Sequence, residues 1–370
     1  MYWLPVILIL PYFCLLLRIY RNLRRIKPYN PDNGNKTFIS VVVACRNEEK
    51  NLPSMLYDIS VQDYDPGLFE LILVDDNSED GTFKQASEFR GIRNYKVIQN
   101  DGIGKKQAIR TGIKLCSGDL IITTDADCRM GSAWISTIAS FFERRRPEMI
   151  IGPVVLTSRT GFINRFQELE FMGLQGVTAG TAAAGDPVMC NGANLAFTKA
   201  TYIKHADKLK DELNTGDDIF LLHSLKTESG SKILWLESNL SLVTARSSGT
   251  PTEFLQQRAR WLSKARAYRD KSTILIGIVT FVTILLLCSV LVTGLFVPEF
   301  LPVFLVIILL KSIPDTVILR NTIRRYGKGK LMKWFIPSQL VYPFYVLAVV
   351  LRLVLTPERV NLSSPSPKGI

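Results

Sequence analysis

A pair of aspartates separated by one small residue is the chemically most informative feature of the sequence. Asp125 and Asp127 follow DLIITT at 119–124, a short β-branched run that is typical of a buried strand. Two carboxylates on the extended chain that leaves a strand can face the same side and hold Mg²⁺ or Mn²⁺, with coordination positions left for diphosphate oxygens. Such a metal would neutralise a departing nucleoside diphosphate. An Asp-x-Asp triplet by itself also occurs in surface turns, so its meaning depends on the rest of the chain.

The elements around these aspartates alternate between strands and helices. The predicted strands are 37–44, 70–74, 95–98, 119–124 and 149–155, and the predicted helices are 48–61, 82–90, 104–116 and 132–145. This alternation predicts an α/β fold with a parallel, doubly wound sheet. Such sheets bind ligands beyond the carboxyl ends of their strands, where Asp75-Asp76 and Asp125 to Asp127 both fall.

Four apolar runs are long enough to cross a bilayer, namely residues 1–20, 274–297, 300–319 and 334–355. The first run precedes a basic stretch and lacks a small-residue cleavage site, so it predicts an uncleaved anchor instead of a secretory signal. The third run contains Lys311 and Asp315, whose i, i+4 spacing allows an ion pair. The Ser/Pro-rich end of the tail 356–370 is typical of a disordered segment.

The net charge of +12 is concentrated beside these apolar runs. Residues 18–27, 258–271 and 320–333 carry +5, +5 and +6, which leaves −4 for the rest of the chain. The positive-inside rule therefore predicts an integral protein of the cell or inner membrane, with the segment between the first two runs in the cytoplasm. Nucleic acid is excluded as a partner class, because the globular part has no basic excess to neutralise phosphates.

Composition excludes several other classes. Hydrophobic residues make up 47% of the 370 residues and charged residues 21%, which excludes a disordered chain. The six cysteines form no Cys-x-x-Cys pair, so neither a zinc ribbon nor a secreted disulfide framework is indicated. With only His205 and His223 available, any catalytic metal has to be held by carboxylates.

Six sequence blocks, taken in order, resemble the family 2 glycosyltransferases. The blocks are VVVACRNEEKNL at 41–52, LILVDDNSEDGT at 71–82, GKKQAIRTGIKLCSGDLIITTDAD at 104–127, NGANLAF at 191–197, GDDIFL at 216–221 and QQRARW at 256–261. The resemblance covers about residues 38–270. It implies a GT-A fold, which is a Rossmann-like, mostly parallel sheet with helices on both faces. The expected domains are the anchor 1–20, a cytoplasmic GT-A domain 37–271 and a transmembrane region 274–355.

On the donor side, the resemblance implies a set of residues around a nucleotide-sugar, with a UDP-sugar expected. The set comprises Arg46, Glu48, Asp75, Asp76, Lys105 and Asp125, with Asp125 and Asp127 as ligands of Mg²⁺ or Mn²⁺. One aspartate of the Asp75-Asp76 pair would accept a hydrogen bond from the base. A polar turn would explain the pair in isolation, but the neighbouring family motifs favour the nucleotide role. Lys105 would reach the diphosphate or the sugar, and an ordinary solvated helix start is the alternative.

On the acceptor side, the resemblance implies that Asp218 is the general base and Asp217 its neighbour. Transfer with inversion is a single displacement, in which the acceptor hydroxyl loses a proton as it attacks the anomeric carbon. A helix N-cap at Asp217 is the alternative. By resemblance, Asn194 shapes the acceptor side.

Gln257, Arg260 and Trp261 form a Q-x-x-R-W motif, as in polysaccharide synthases, that can contact the diphosphate or the acceptor sugar. The alternative for this motif is a basic amphipathic helix on the lipid surface.

The expected function is a membrane-bound, metal-dependent, inverting glycosyltransferase that moves a sugar from a nucleotide-sugar to a lipid-linked or glycan acceptor. Its partners are then the donor, the acceptor and the bilayer, and an oligomer remains open. One alternative is a polyprenyl-phosphate glycosyltransferase that makes a lipid-linked sugar donor. The other is a catalytically silent membrane scaffold with a GT-A domain.

Overall fold

The computed structural model describes residues 2–32, 34–158, 160–210, 213 and 215–355, so the tail 356–370 lies outside the described residues. The chain divides into two compact units. The sheet unit comprises the described residues of 27–157 and 189–246, and the helical unit comprises those of 1–26, 158–188 and 247–355. The GT-A domain is predicted as one continuous segment, 37–271. In the structure, residues 158–188 and 247–271 of that segment group with the apolar helices, apart from the residues that are not described.

The described residues form ten strands and thirteen α-helices. The strands are β1 Ile39–Cys45, β2 Phe69–Asp75, β3 Tyr95–Gln99, β4 Leu120–Asp125, β5 Arg129–Met130, β6 Met149–Ile151, β7 Val154–Thr157, β8 Leu195–Thr198, β9 Ile233–Trp235 and β10 Val243–Arg246. The helices are α1 Leu4–Leu8, α2 Leu10–Leu23, α3 Leu52–Ser60, α4 Thr82–Glu88, α5 Lys105–Lys114, α6 Trp134–Arg145, α7 Phe162–Ala183, α8 Lys199–His205, α9 Asp217–Lys226, α10 Pro251–Ser263, α11 Lys271–Phe296, α12 Phe300–Arg325 and α13 Phe335–Leu355.

The main sheet of the sheet unit has seven strands in the order β3-β2-β1-β4-β8-β6-β9. Strands β1 to β4 run parallel, and the almost fully buried sequences of β1, β2 and β4 are those of strands covered on both faces, whereas β3 at the sheet edge is partly exposed. Helix α5 packs closely on this sheet, since a Cβ on Gly112 would lie 2.6 Å from Val42. Strand β8 is antiparallel to both of its neighbours. The predicted α/β, mostly parallel sheet is confirmed.

The register of the parallel strands places two predicted site residues at one edge. Asp75 of β2 lies opposite Cys45 of β1, and Asp125 of β4 lies opposite Ala44 of the same strand. Both aspartates are the last residues of their strands. The loops that follow β1, β2, β3 and β4 therefore meet at the carboxyl edge of the sheet.

One predicted strand is wrong. Residues 149–155 form two strands, β6 in the seven-stranded sheet and β7 in a three-stranded sheet of order β5-β10-β7. Gly152 and Pro153 separate them, because proline has no N–H for a sheet ladder.

The helical unit contains four helices, among its described residues, that are long and apolar enough to cross a bilayer. They span Leu4–Leu23, Lys271–Phe296, Phe300–Arg325 and Gly329–Leu355, which confirms one N-terminal and three C-terminal apolar helices. The third continues to Arg325, beyond the predicted end at residue 319. A charged flank ends the apolar run but not the helix, because basic residues favour a helix C-terminus.

Helix α7 belongs to this unit because its small residues allow close helix contact. A Cβ on Gly176 would lie 2.5 Å from Thr322 Oγ1 of α12, and one on Gly180 would lie 2.6 Å from Ile19 Cγ2 of α2. Glycines at such positions let helix backbones approach each other.

The predicted pair of Lys311 and Asp315 forms within this unit. Lys311 is 1% exposed, and its Nζ donates to Asp315 Oδ2 and to Gln339 Oε1, both at 2.7 Å. Tyr12 of the N-terminal helix donates to Asp315 Oδ1 at 2.6 Å. The charges are thus satisfied inside the protein, as burial in an apolar helix bundle requires.

Candidate active site

The Asp-x-Asp pair lies at the carboxyl end of β4 and offers a set of metal ligands. Ligand atoms of Asp125, Asp127 and Cys128 lie within 4.8 Å of one another. Burial, and then the neighbouring Asp125 carboxylate, raise the pKa of Asp127. A divalent cation would relieve this accumulation of negative charge, and carboxylate oxygens are the ligands that Mg²⁺ and Mn²⁺ prefer. The two carboxylates therefore fit such an ion.

Cys128 was not among the predicted ligands, and its environment explains why it is a poor one for a hard cation. The thiol is fully buried, and burial followed by the charges of Asp125 and Asp127 raises its pKa well above the usual value. It therefore stays protonated at neutral pH. A protonated thiol leaves the oxygens of the two aspartates as the metal-binding atoms.

A salt bridge that the sequence did not reveal holds the chain just after this pair. Arg129 donates from Nε and Nη2 to the carboxylate of Asp58 in α3, at 2.6 and 2.8 Å. The backbone N–H of Met130 donates to the same carboxylate at 3.1 Å. A bidentate guanidinium–carboxylate pair fixes orientation as well as distance. Helix α3 thereby anchors the segment that carries Asp127.

Lys105 reaches from the start of α5 into the acidic group. Its Nζ contacts Asp125 Oδ1. Burial disfavours the charged amine, but the carboxylates of Asp125 and Asp217, and to a smaller extent Asp218, raise the pKa of Lys105. The lysine is thus charged and lies in the field of three aspartates, and because 44% of its side chain is exposed, its contact with the diphosphate remains a prediction.

The Asp75-Asp76 pair is buried and helps to build the loops of this edge. Asp76 accepts hydrogen bonds from Asn100 Nδ2 at 2.7 Å and from the N–H of Gly104, which lies 2.8 Å from Oδ1. Asp75 Oδ2 accepts from the N–H of Ser78 at 3.0 Å. A carboxylate oxygen can accept more than one hydrogen bond, so this scaffolding does not exhaust their capacity to bind a base.

The predicted nucleotide loop after β1 lies beside both aspartate pairs. Arg46 Nη1 is 4.0 Å from Asp76 Oδ2. Glu48 Oε2 accepts from Asn51 at 2.8 Å. Burial raises the pKa of Glu48 to about 7 against the hydrogen bond from Asn51, and the charges of Asp127 and Asp125 add to the increase. The pKa of Glu48 therefore depends on the charges of Asp125 and Asp127.

Asp218 is held at the same edge through the backbone. Asp218 Oδ2 accepts from the N–H of Gly192 at 3.1 Å, and the carbonyl of Gly192 accepts from Thr123 Oγ1 at 2.9 Å. Thr123 lies in β4, two residues before Asp125. The structure thus brings the predicted base and the predicted metal ligands together around the end of one strand.

The alternative of a helix N-cap at Asp217 is wrong. Gly216 occupies the N-cap position of α9 with φ 98°, a left-handed conformation that favours glycine. Both Asp217 and Asp218 lie in the first turn, where negative charge interacts favourably with the helix dipole.

Asn194 does not line an acceptor surface. It is 1% exposed, and its Nδ2 donates to the carbonyls of Pro153 and Ser241, both at 2.8 Å. Its Oδ1 accepts from Trp134 Nε1 at 3.0 Å. Because these bonds use both amide hydrogens and the oxygen, the side chain holds the protein together and does not face a ligand.

Gln257, Arg260 and Trp261 lie on α10 in the helical unit, where their predicted roles remain predictions. This helix starts with a capping box between Thr250 and Glu253.

The two residues that the motif leaves unnamed, Arg258 and Ala259, are both buried. Arg258 is the charged one of the two. It forms a salt bridge with Glu170 at 2.7 Å and lies 4.1 Å from the Trp261 ring. Gln257 Oε1 accepts from Arg258 Nη1 at 2.6 Å. The motif is therefore packed into its unit, beyond what a helix lying only on lipid would require.

Comparison with known proteins shows a family resemblance over part of the chain. Residues 40–203 match the family model "Glycosyl transferase family 2". This part of the chain is thus similar to a family 2 glycosyltransferase domain. The domain contains Arg46, Glu48, both aspartate pairs and Lys105, whereas α9 and α10 lie beyond it.

Two curated relatives match parts of the chain. Glycosyltransferase AglE of Haloferax volcanii is 29% identical over 126 residues, which are 34% of this chain and 41% of the relative. The undecaprenyl-phosphate 4-deoxy-4-formamido-L-arabinose transferase of Aeromonas hydrophila is 35% identical over 100 residues, which are 26% of this chain and 31% of the relative. The chain thus matches less than half the length of either protein.

A solved structure resembles the whole chain. The mannosyltransferase PcManGT from Pyrobaculum calidifontis, in complex with GDP-Man and Mn²⁺, aligns with a TM-score of 0.59 and 16% identity, and the alignment covers 96% of both chains. At this identity the likeness concerns the fold, and it confirms the predicted GT-A class.

Proposed function

We propose that this protein is a membrane-bound, inverting glycosyltransferase that moves a sugar from a nucleotide-sugar to a lipid-linked or glycan acceptor. The observation that carries the proposal is the meeting of Asp125, Asp127, Lys105 and Asp218 at one end of β4. Two carboxylates for a cation, a charged amine and a third carboxylate are the groups that a single displacement at a sugar diphosphate requires.

The donor half of the site places two carboxylates for a cation next to a positively charged lysine. Asp125 and Asp127 would hold Mg²⁺ or Mn²⁺, and the bound ion would stabilise the diphosphate as it leaves. Lys105 already contacts Asp125, so its ammonium can exchange that partner for a phosphate oxygen with little movement. Arg46 and the buried Asp75-Asp76 pair build the loops that would receive the nucleotide.

The acceptor half depends on Asp218. Its Oδ2 accepts from the N–H of Gly192 and its Oδ1 from the N–H of Ile219, which fixes the carboxylate while a second lone pair on an oxygen can still accept a proton from a hydroxyl. A base on the face opposite the diphosphate removes the proton of the attacking hydroxyl and gives inversion. Asp217 keeps negative charge next to it and increases the proton affinity of Lys105.

A lipid-linked acceptor is supported by the four apolar helices and by the name of one relative, which transfers a sugar to undecaprenyl phosphate. The three basic blocks support a cytoplasmic location for the sheet unit. Anchoring is useful with such an acceptor, because it confines both enzyme and substrate to one plane.

The same relative supports a second candidate, a polyprenyl-phosphate glycosyltransferase whose product is a lipid monophosphate sugar. The two functions share the donor half of the site and differ in the acceptor group. Intact carboxylates at 125, 127 and 218 speak against a silent scaffold.

A donor screen in membranes tests the proposal. Membranes containing the full chain are incubated with Mn²⁺ and UDP- and GDP-sugars, and the lipid extract is analysed by mass spectrometry. We expect a product with wild-type protein and with Asp63→Asn, an exposed control, but none with Asp125→Asn. A monophosphate sugar as product selects the second candidate. Equal product from Asp125→Asn and wild type would contradict the proposed site.

A further inference from the structure

Two consecutive lysines at the start of α5 contact different parts of the sheet unit. Lys105 contacts Asp125, as described above, whereas Lys106 is 4% exposed. The Nζ of Lys106 donates to the carbonyls of Leu209, Lys210 and Leu213, the last two at 2.5 and 3.4 Å. These carbonyls belong to the segment that leads into α9, the helix that begins with Asp217 and Asp218.

Lys106 also contacts α9 itself. Its Nζ lies 5.9 Å from the centre of the Phe220 ring, in the first turn of that helix, within the range of a cation–π contact. Lysine is almost never fully buried without compensating partners, because the ammonium loses its hydration. A buried ammonium that gathers several main-chain carbonyls therefore fixes where those carbonyls lie.

The backbone conformation of Lys210 is consistent with this role of Lys106. Lys210 has φ 56°, a left-handed conformation that is unfavourable for a residue with a Cβ. A conformation of this kind persists only where surrounding contacts determine it. The carbonyl of Lys210 is one of the groups that Lys106 binds.

We propose that Lys106 is a positioning residue that sets the place of Asp218 relative to the metal-binding pair. The proposal rests on the proposed function for its catalytic consequence. The first turn of α5 contacts Asp125 through Lys105 and the approach to α9 through Lys106, so one rigid turn relates the two halves of the site. A second connection to Asp218 comes from β4. Thr123 of that strand donates to the carbonyl of Gly192, and the N–H of Gly192 donates to Asp218. Both connections are needed, because a misplacement of about 1 Å can cost about a hundredfold in rate.

The first experiment tests, without an activity assay, whether Lys106 orders the start of α9. Hydrogen–deuterium exchange is followed by mass spectrometry on the full chain in detergent, for wild type, Lys106→Met, Lys106→Arg and Lys114→Met. Met keeps the aliphatic stem and removes the donors, and Arg restores donors. Lys114 is the matched control, because it lies exposed in the last turn of the same helix.

In Lys106→Met we expect exchange over 216–220 and at Gly192 to increase about tenfold, while β1 and β2 keep their protection. Lys106→Arg and Lys114→Met should resemble wild type. Unchanged exchange over 216–220 in Lys106→Met would overturn the proposal. If Lys106→Met does not fold, Lys106→Leu, which also removes the donors, is compared in the same way and the same two outcomes decide.

The second experiment uses the donor and acceptor found by the membrane screen. Per folded protein, Lys106→Met should lose about tenfold to a hundredfold in kcat with donor KM within about twofold, and Lys106→Arg should recover most of the loss. A purely stabilising lysine would lower the folded fraction and leave kcat per folded protein unchanged, which overturns the proposal. If wild type turns over no donor, the proposed function fails, and the exchange comparison alone decides whether Lys106 holds Asp218.

Discussion

Replacing the proposed base, Asp218→Asn, is the sharpest test of the acceptor half of the site. The amide has nearly the same shape, and its oxygen can still accept the hydrogen bond from Gly192 that Asp218 accepts at 3.1 Å. Asp218 Oδ1 also accepts from the N–H of Ile219 at 2.8 Å, so the amide, which has one oxygen, keeps one of these two hydrogen bonds and loses the charge and the basicity. A positioned general base contributes about 10²–10⁴ in rate, so kcat should fall by that factor, or by about 3–5 kcal/mol in barrier.

Donor binding, in contrast to kcat, should be almost unaffected by this substitution. Asp218 is the weakest of the carboxylates that act on Lys105, so removing its charge leaves the diphosphate side almost unchanged. We expect the donor Kd, measured by titration with Mn²⁺, to stay within about threefold of wild type.

Turnover is measured at saturating donor, with Asp63→Asn as the matched exposed substitution. If Asp218→Asn kept more than about a tenth of wild-type kcat, a general base at this position would be refuted.

Three further substitutions test other parts of the structure. Asp127→Asn should raise the Mn²⁺ concentration for half-maximal donor binding by about tenfold or more, since it removes one charged ligand; an unchanged metal titration would contradict the metal site. Burial raises the pKa of Glu48 from 4.5 to about 7, so the folded protein binds more protons than the unfolded chain between those values. With EDTA present, Tm should therefore fall as pH rises from 5 through 7, and Glu48→Gln should flatten that slope; a parallel slope in the variant would show that another group titrates. Asn194→Leu removes hydrogen bonds to three buried partners, of which the Pro153 carbonyl keeps the N–H of Val243, and should cost about 3 kcal/mol of folding free energy, with kcat per folded protein unchanged; a selective loss of kcat would restore the predicted acceptor role.

The regular part of the fold was accessible from local sequence. Strands β1 to β4 begin and end within about two residues of their predicted bounds, and for β1, β2 and β4 the reason is that continuous apolar runs rich in β-branched residues have few alternatives to a buried strand. Strand β8 was missed, since its four residues are too short for a pattern. The split of 149–155 into two strands depends on which sheet each half joins, and that is decided by distant strands.

The same limit applies to the site. Its chemically reactive residues can be recognised in the sequence, but their contacts with distant residues cannot. The carboxylates were identified because their chemistry is visible in the sequence, directly after predicted strands. The residues that orient them were not, because Asp58 and Arg129, or Lys106 and Leu209, are about 70 and 100 positions apart. Asn194 was misassigned for the same reason, since its burial comes from partners on three separate segments.

The small-residue face of α7 has a practical consequence. Residues 37–271 look like a natural piece to express without the apolar helices, yet that piece would include α7 and omit both helices that cover Gly176 and Gly180. The small-residue surface of α7, which packs against α2 and α12 in the full chain, would then be exposed to water. We expect such a fragment to need detergent or to self-associate, so catalytic work on this protein should begin with the uncut chain.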